Sequence, residues 1–346
     1  MKLLDRIRNL DASRRVDVVS KYIPVLLVEH TCNLMDTQTK TMIGHIHTDL
    51  IETLRDRLEE NLPHNSKSVF RLPKPAFIEE TTTLTRIRNR YFGLVVDKSP
   101  TQPLADARTA ALERFTNLLL DCKVISNLHS DRYPITDPTI AGHGEILATV
   151  NRNAAPYLGV TSIGVHLLCY VKTNDTVSLW LAQRAANKSH HALLWDPTVA
   201  GGQPASMGLF DNVIKEAGEE AGIPSELVAR NAVATGCLSQ MTCKPDGTCM
   251  KQSLYYTWDM QVPNDFVPEA ADGEVAQFEL CSAEQLEYDV REGTRLRPAM
   301  ILVVTDFLIR HGIIAPDKEP DYANILAAMH QEQLVFEYAD KGEGCM

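Results

Sequence analysis

Three glutamates fall within the five residues 216–220 of the stretch AGGQPASMGLFDNVIKEAGEEAGIP, which covers residues 200–224. Glu216 lies three positions before Glu219 and four before Glu220, so a helix would set all three on one face. Each like-charged pair at such spacing costs a helix roughly 0.2–0.5 kcal/mol. The acids also sit towards the C-terminal end, where the helix dipole disfavours anions. Gly218 adds a cost of about 0.5–1 kcal/mol relative to alanine. Local physics alone would not choose this segment. A hard divalent cation, Mg²⁺ or Mn²⁺, resolves the conflict, because clustered carboxylates are the ligands it prefers, with waters and substrate phosphates completing its shell. Such a cation stabilises charge on a phosphoryl group and lowers the pKa of a bound water. Taken alone, the three acids fit a solvated acidic face better than a metal site.

The elements that would position these residues are legible on both sides. Leu209 to Ala221 reads as a helix, with Phe210, Val213, Ile214, Ala217 and Ala221 as its apolar stripe and Gly222 and Pro224 closing it. Gly201 and Gly202 precede it. Upstream, SIGVHLLCYV (162–171) and VSLWLAQR (177–184) read as strands joined by a turn at KTNDT. Downstream, TGCLSQMTC and MKQSLYYTWDMQVP read as a hairpin across KPDGT, followed by a strand at EVAQFELC. PAMILVVTDFLIRHG (298–312) reads as a buried helix, and a last helix falls on DYANILAAMHQEQL. Residues 158–312 are therefore mixed α/β, with strands paired by hairpins rather than strict βαβ units.

The first 157 residues carry no catalytic constellation. MIGHIHTDLIETLRDRL places Ile43, Ile46, Leu50, Leu54 and Leu58 on one helical face, which makes His45 and His47 a solvated pair on a helix. YFGLVV reads as a strand, and PLADARTAALERFTNLLLDC reads as a helix opened by Pro103. The expected division is 1–157, 158–312 and a helical extension at 313–346.

Bulk properties bound the function. In 346 residues, 44% of them hydrophobic, a sizeable core is available, and the length suits two domains. A net charge of −11 argues against nucleic-acid binding, which needs a basic stripe. The eight cysteines form no C-x-x-C pair, which argues against zinc and fits free thiols in a reducing compartment. No apolar run approaches a membrane span. The first residues, MKLLDRIRNLDASRRVDVV, lack the uninterrupted apolar region of a signal peptide, and Asp5, Asp11 and Asp17 disagree with a transit peptide, so the expected location is cytoplasmic.

The segment around the three acids resembles the Nudix box, G-x5-E-x7-R-E-U-x-E-E-x-G-U with U aliphatic. KEAGEEAGI (215–223) matches its second half, with Lys215 for the arginine and Ala217 at the aliphatic position. Gly201 falls at the first glycine, and Met207 stands where the early glutamate would be. With GVH at 164–166, WDPTVAGGQPA at 195–205, LYYTWDMQVPNDFVPEAADGEV at 254–275 and DFLIRHG at 306–312, the chain looks like the thiamine pyrophosphokinase-related Nudix proteins of fungi and plants. In that family the early glutamate is commonly absent. The resemblance implies an α+β chain: a Nudix α/β/α sandwich with a mixed sheet, preceded by a smaller α+β N-terminal domain.

The resemblance also implies roles. Glu216, Glu219 and Glu220 would hold Mg²⁺ or Mn²⁺, and Lys215 would orient Glu219 without the bidentate fork of an arginine. Glu274, then Glu269, are the candidates for a general base. Gly201, Gly202, Gln203, His166, Arg184 and Lys188 are the candidate substrate contacts; for His166, Arg184 and Lys188 a satisfied strand histidine and ordinary surface charges are the alternatives. The implied reaction is hydrolysis of a small-molecule diphosphate of the thiamine diphosphate type, including damaged oxy and oxo forms, to a monophosphate. Other diphosphates (ADP-ribose, nucleotide sugars, coenzyme A), a non-catalytic binding module and an isomerase on the same fold are the competing readings. Cys169, in a buried strand with no histidine beside it, argues against the isomerase. No G-x-x-x-x-G-K-[ST] loop is present, so no kinase activity is expected. The N-terminal domain could build part of the pocket, cap it, or hold a homodimer together.

Overall fold

Alternation along residues 162–172 decides the architecture. The computed structural model describes residues 2–10, 22–30, 38–61, 70–71, 92–96, 101–136, 145–173, 176–188, 190–243 and 249–330. In chain order these form α1 (Leu3–Asn9), β1 (Tyr22–His30), β2 (Gln38–His47), α2 (Thr48–Asn61), β3 (Phe70–Arg71), β4 (Phe92–Val96), α3 (Leu104–Asp121), β5 (Arg132–Thr136), β6 (Ile146–Asn151), a 3-10 turn (Ala155–Leu158), β7 (Ser162–Lys172), β8 (Val177–Arg184), β9 (Trp195–Pro197), β10 (Val199–Gly202), α4 (Leu209–Ala221), α5 (Ser225–Asn231), β11 (Val233–Cys243), β12 (Met250–Gln261), β13 (Val275–Ser282), α6 (Ala283–Arg291), α7 (Met300–Arg310) and α8 (Tyr322–Met329).

The described residues divide into two units. One contains α1, residues 163–241 and residues 253–330; the other contains the described residues between 22 and 162 together with 242, 243 and 249–252. This differs from the division expected at 157 and 312. Leu3, Leu4 and Ile7 of α1 and Ile325, Ala328 and Met329 of α8 are buried in one cluster with Phe307 and Leu308 of α7, so both ends of the described chain join the first unit.

That unit is built on a seven-stranded sheet in the order β11-β12-β7-β8-β13, with β10 paired to β7 and β9 to β8. β10 pairs antiparallel with β7, β7 with β8, and β8 with both β9 and β13. β12 runs parallel to β7, since Ser162 lies against Gln252 at one end and Val262 N–H donates to the Tyr170 carbonyl at the other. The sheet is therefore mixed. Val165, Leu167, Cys169 and Val171 face Val213, Ala217 and Ala221 of α4 and Val228 of α5. Leu168, Leu179 and Leu181 face the other way, towards α6, α7 and α8. The two-residue period of strands thus covers each face with helices. Residues Met300–Leu308 of α7 are buried all round, as its continuous apolar sequence requires.

The second unit has a four-stranded sheet, β2-β1-β4-β3, and the β5-β6 hairpin. Its core holds Ile46, Leu54, Leu94, Leu112, Phe115 and Val150, so it too is α+β. One expectation fails here. Residues 42–47 are strand, not helix, and the helix begins at Thr48. Ile43 and Ile46 fit a helical stripe, but pairing with β1 (Tyr22 opposite His47, Ile23 opposite Ile46) overrides that local pattern. His45 and His47 are consequently buried, each set edge-on to Tyr22, rather than solvated. The KPDGT turn lies outside the described residues.

Candidate active site

The acidic helix is α4, Leu209–Ala221, with the bounds expected from its sequence. Val213, Ala217 and Ala221 are buried and hold it on the sheet. Gly222 closes it at φ 64°, in the left-handed region, and the Ile223 N–H reaches back to the Ala217 carbonyl at 3.0 Å. The start is fixed by polar contacts. Asn212, fully buried, donates to the Gly202 carbonyl at 3.1 Å and the Gln203 side-chain oxygen at 3.2 Å.

The helix lies directly against β10. Glu220 is buried, and its Oε2 accepts the Ala200 N–H at 2.9 Å. Glu216 packs over Gly201 so tightly that a Cβ there would lie 2.4 Å from its Cγ. Lys215 spans Glu219 at 2.5 Å and Glu216 at 3.4 Å, and Glu219 points outward, about half exposed. Thr198, between β9 and β10, secures this edge: its hydroxyl donates to the Trp180 carbonyl at 2.7 Å and accepts the Cys169 N–H at 2.9 Å.

The carboxylates act on one another. Burial pushes the Glu220 carboxyl up to about 8; the Ala200 N–H opposes this, and Glu216, Asp196 and Glu274 reinforce it. Burial raises Glu216 as well, and Glu219 and Glu274 add to the rise against the pull of Lys215. Glu274, just before β13, thus belongs electrostatically with the helix acids. It is ion-paired with Lys188. Glu269 does not join them. Its N–H instead caps the Ala221 carbonyl at the far end of α4.

The remaining candidates divide. Gly201 and Gly202 form the strand edge beneath α4, opposite Val165 and Gly164. Gln203 is buried, and its amide donates to the Met207 and Pro204 carbonyls while accepting from Asn212, so it braces the loop before α4. Arg184 binds the buried Asp196 at 2.9 Å and the His190 carbonyl at 3.2 Å. His166 is buried opposite Ala200, with both ring nitrogens unpartnered.

Sequence reasoning missed two residues. Asp196 is held by both Arg184 and Arg297, and these guanidiniums overcome its burial to keep its carboxyl below the usual range. Asp196 lies within the quoted WDPTVAGG motif, which is a usable signal. Arg297, the second arginine of TRLRPAM, offers none; a parallel bridge between Trp195 and Leu296 brings it there.

Among the described residues, no three His, Cys, Asp or Glu side chains close into a ready-made metal cage. The donor set nonetheless fits a hard divalent cation. Glu220 is a buried carboxylate with no ion pair among the described residues, and neighbouring acids oppose its ionisation. Mg²⁺ commonly takes one or two protein carboxylates and keeps several waters.

A model of the NUDIX domain matches residues 163–300. The chain is 34% identical over 210 residues to Nudix hydrolase 20, chloroplastic, of Arabidopsis thaliana, covering 61% of this chain and 54% of that protein. It is 33% identical over 220 residues to Nudix hydrolase 24, chloroplastic, of the same plant, covering 64% and 58%. An uncharacterised protein of Saccharomyces cerevisiae is 32% identical over 193 residues, covering 53% and 56%. The chain thus spans little more than half the length of these relatives. The matched segment contains every carboxylate of the cluster: Asp196 and Glu274 as well as the three acids of α4.

Proposed function

We propose that this chain is a metal-dependent diphosphatase, and that its substrate is a thiamine diphosphate-like compound cleaved to the monophosphate. The observation that carries the hydrolase reading is the packing of Glu216 on Gly201 and of Glu220 on the Ala200 N–H, with Glu274 in electrostatic reach of both. The family resemblance of residues 158–312 supports the thiamine-type substrate.

Glu216, Glu219 and Glu220 would hold Mg²⁺ or Mn²⁺. Bound there, the cation supplies positive charge to the phosphoryl oxygens and lowers the pKa of water. The protein's own groups do the rest. Water attacks a phosphorus of the diphosphate, the bridging P–O bond breaks, and Glu274 takes the water's proton as general base. Lys188 is ion-paired with Glu274 and so holds that carboxylate in place. Lys215 holds Glu219 in place. The products are a monophosphate and inorganic phosphate.

The test is phosphate and monophosphate release from thiamine, oxythiamine and oxothiamine diphosphates, ADP-ribose and UDP-glucose, with Mg²⁺ and with Mn²⁺. Metal-dependent turnover of a thiamine compound, abolished by Glu219→Gln, is the expected result. Turnover confined to ADP-ribose or UDP-glucose would keep the hydrolase and discard the substrate. No turnover of any of them would overturn both.

A further inference from the structure

Next to the carboxylate cluster lies a group of side chains with the opposite character. Arg297 donates through Nε to Asp196 Oδ1 at 2.5 Å, and its two terminal nitrogens make no hydrogen bond to a described residue. Asp196 is shared with Arg184, so two guanidiniums stand against one carboxylate and the trio keeps a net positive charge. The Arg184 Nε is buried and also unpartnered. His166 adds two buried, unpartnered ring nitrogens; its ring lies 5.5 Å from that of Tyr255, edge-on. Gly164, two residues earlier on β7, lies close by: a Cβ there would stand in contact, 3.4 Å from both His166 Nε2 and the Tyr255 ring.

Buried polar groups left unpaired are costly, and more so when charged. A fold that keeps several together is suited to a ligand that satisfies them. Burial and the nearby Arg297 charge press His166 down to about 3, so at neutral pH it is an uncharged ring offering one N–H and one acceptor. A free guanidinium edge and a neutral imidazole suit an oxyanion with several acceptors, for which arginine has the matching fork. Strand pairing fixes the location. His166 is opposite Ala200, whose N–H binds Glu220, and the Arg297 N–H donates to the Trp195 carbonyl beside Asp196.

We propose that Arg297 and His166 form a phosphoryl-binding subsite that takes the phosphate of the diphosphate not engaged by the carboxylates of α4. This rests on the diphosphatase reading for its substrate, but the binding chemistry stands apart from turnover. Arg297 and His166 would then set affinity and register rather than perform the bond-breaking step.

The experiment is calorimetric titration of the full chain with inorganic pyrophosphate, once in EDTA and once in excess Mg²⁺. Wild type is compared with Arg297→Gln, Arg297→Lys and His166→Phe. Melting curves identify any variant that fails to fold; Arg297→Lys keeps the charge beside Asp196 and so covers the loss of Arg297→Gln. Binding weakened roughly tenfold or more in the arginine variants, and several-fold in His166→Phe, is expected in at least one condition. If the chain turns over diphosphates, KM should rise in these variants by more than kcat falls. Folded variants that bind as wild type does, or a wild type that binds in neither condition, would overturn the subsite. Arg297-dependent binding without any turnover would leave the subsite standing and remove the diphosphatase.

Discussion

Glu216 occupies the space that a side chain on Gly201 would need. A Cβ at Gly201 would lie 2.4 Å from Glu216 Cγ and 2.5 Å from its Cδ. Gly201→Ala should therefore push Glu216 off the strand. Overpacking of this kind costs about 1–3 kcal/mol. Thermal melting should register that loss, and Mg²⁺-dependent turnover should fall with it. Unchanged melting and turnover would mean that α4 can shift without consequence.

Gly218 gives the contrasting case on the same helix. The nearest atom to a Cβ there is the Ile223 carbonyl oxygen, at 3.9 Å. Gly218→Ala should stabilise the chain by about 0.5–1 kcal/mol, the usual gain when a helix-interior glycine is replaced without strain. Urea unfolding would measure it. A loss of stability would show that the helix needs the glycine for a close approach that the structure does not contain.

Metal removal should make stability depend on pH. The folded Glu220 carboxyl titrates near 8, against an ordinary value of 4.5, because burial and neighbouring acids oppose its charge. Between those values the folded chain holds a proton that the unfolded chain has released. In EDTA, stability is therefore complete below about pH 4.5 and declines as pH rises through about 8. Mg²⁺ should offset the decline, so the rise in melting temperature on adding it should be larger near about pH 9 than near about pH 5. Glu220→Gln should flatten the EDTA profile. A flat wild-type profile would contradict the burial of this carboxylate.

Asp196 should matter more for stability than its motif suggests. It is nearly inaccessible and ion-pairs with two guanidiniums, Arg184 at 2.9 Å and Arg297 at 2.5 Å. Asp196→Asn leaves both cations without a counter-charge, and breaking such a buried pair costs about 3–5 kcal/mol. Chemical denaturation should show this directly. A cost below about 1 kcal/mol would place the arginines in water and deprive the trio of its buried character.

Much of the unit that holds the carboxylates was legible because its signals are local. The bounds of α4 follow from a 3.6-residue stripe that ends at Gly222, and β7 and β8 follow from short apolar runs separated by turn residues. The helix acids could be singled out because their spacing is unfavourable unless something positive joins them. In the other unit the same kind of reading failed at residues 42–47, where a helical stripe coincides with residues that pair across to β1. A periodic pattern records which residues are apolar; it does not record which backbone stands ready to bond them.

The sequence by itself determined the kind of chemistry: three carboxylates on one helix face, a glycine pair before them, and a box whose type and spacing narrow the family. Only the tertiary structure decided the character of each charge. Glu219 and Glu220 are adjacent in sequence, yet one lies half-exposed against Lys215 while the other is buried on the Ala200 N–H and pushed up to about 8. Asp196 and Arg297 are 101 residues apart, and nothing local to either predicts the other. Burial and long-range pairing set these differences, because the cost of a charge depends on the solvent it loses and on the partner the fold brings to it.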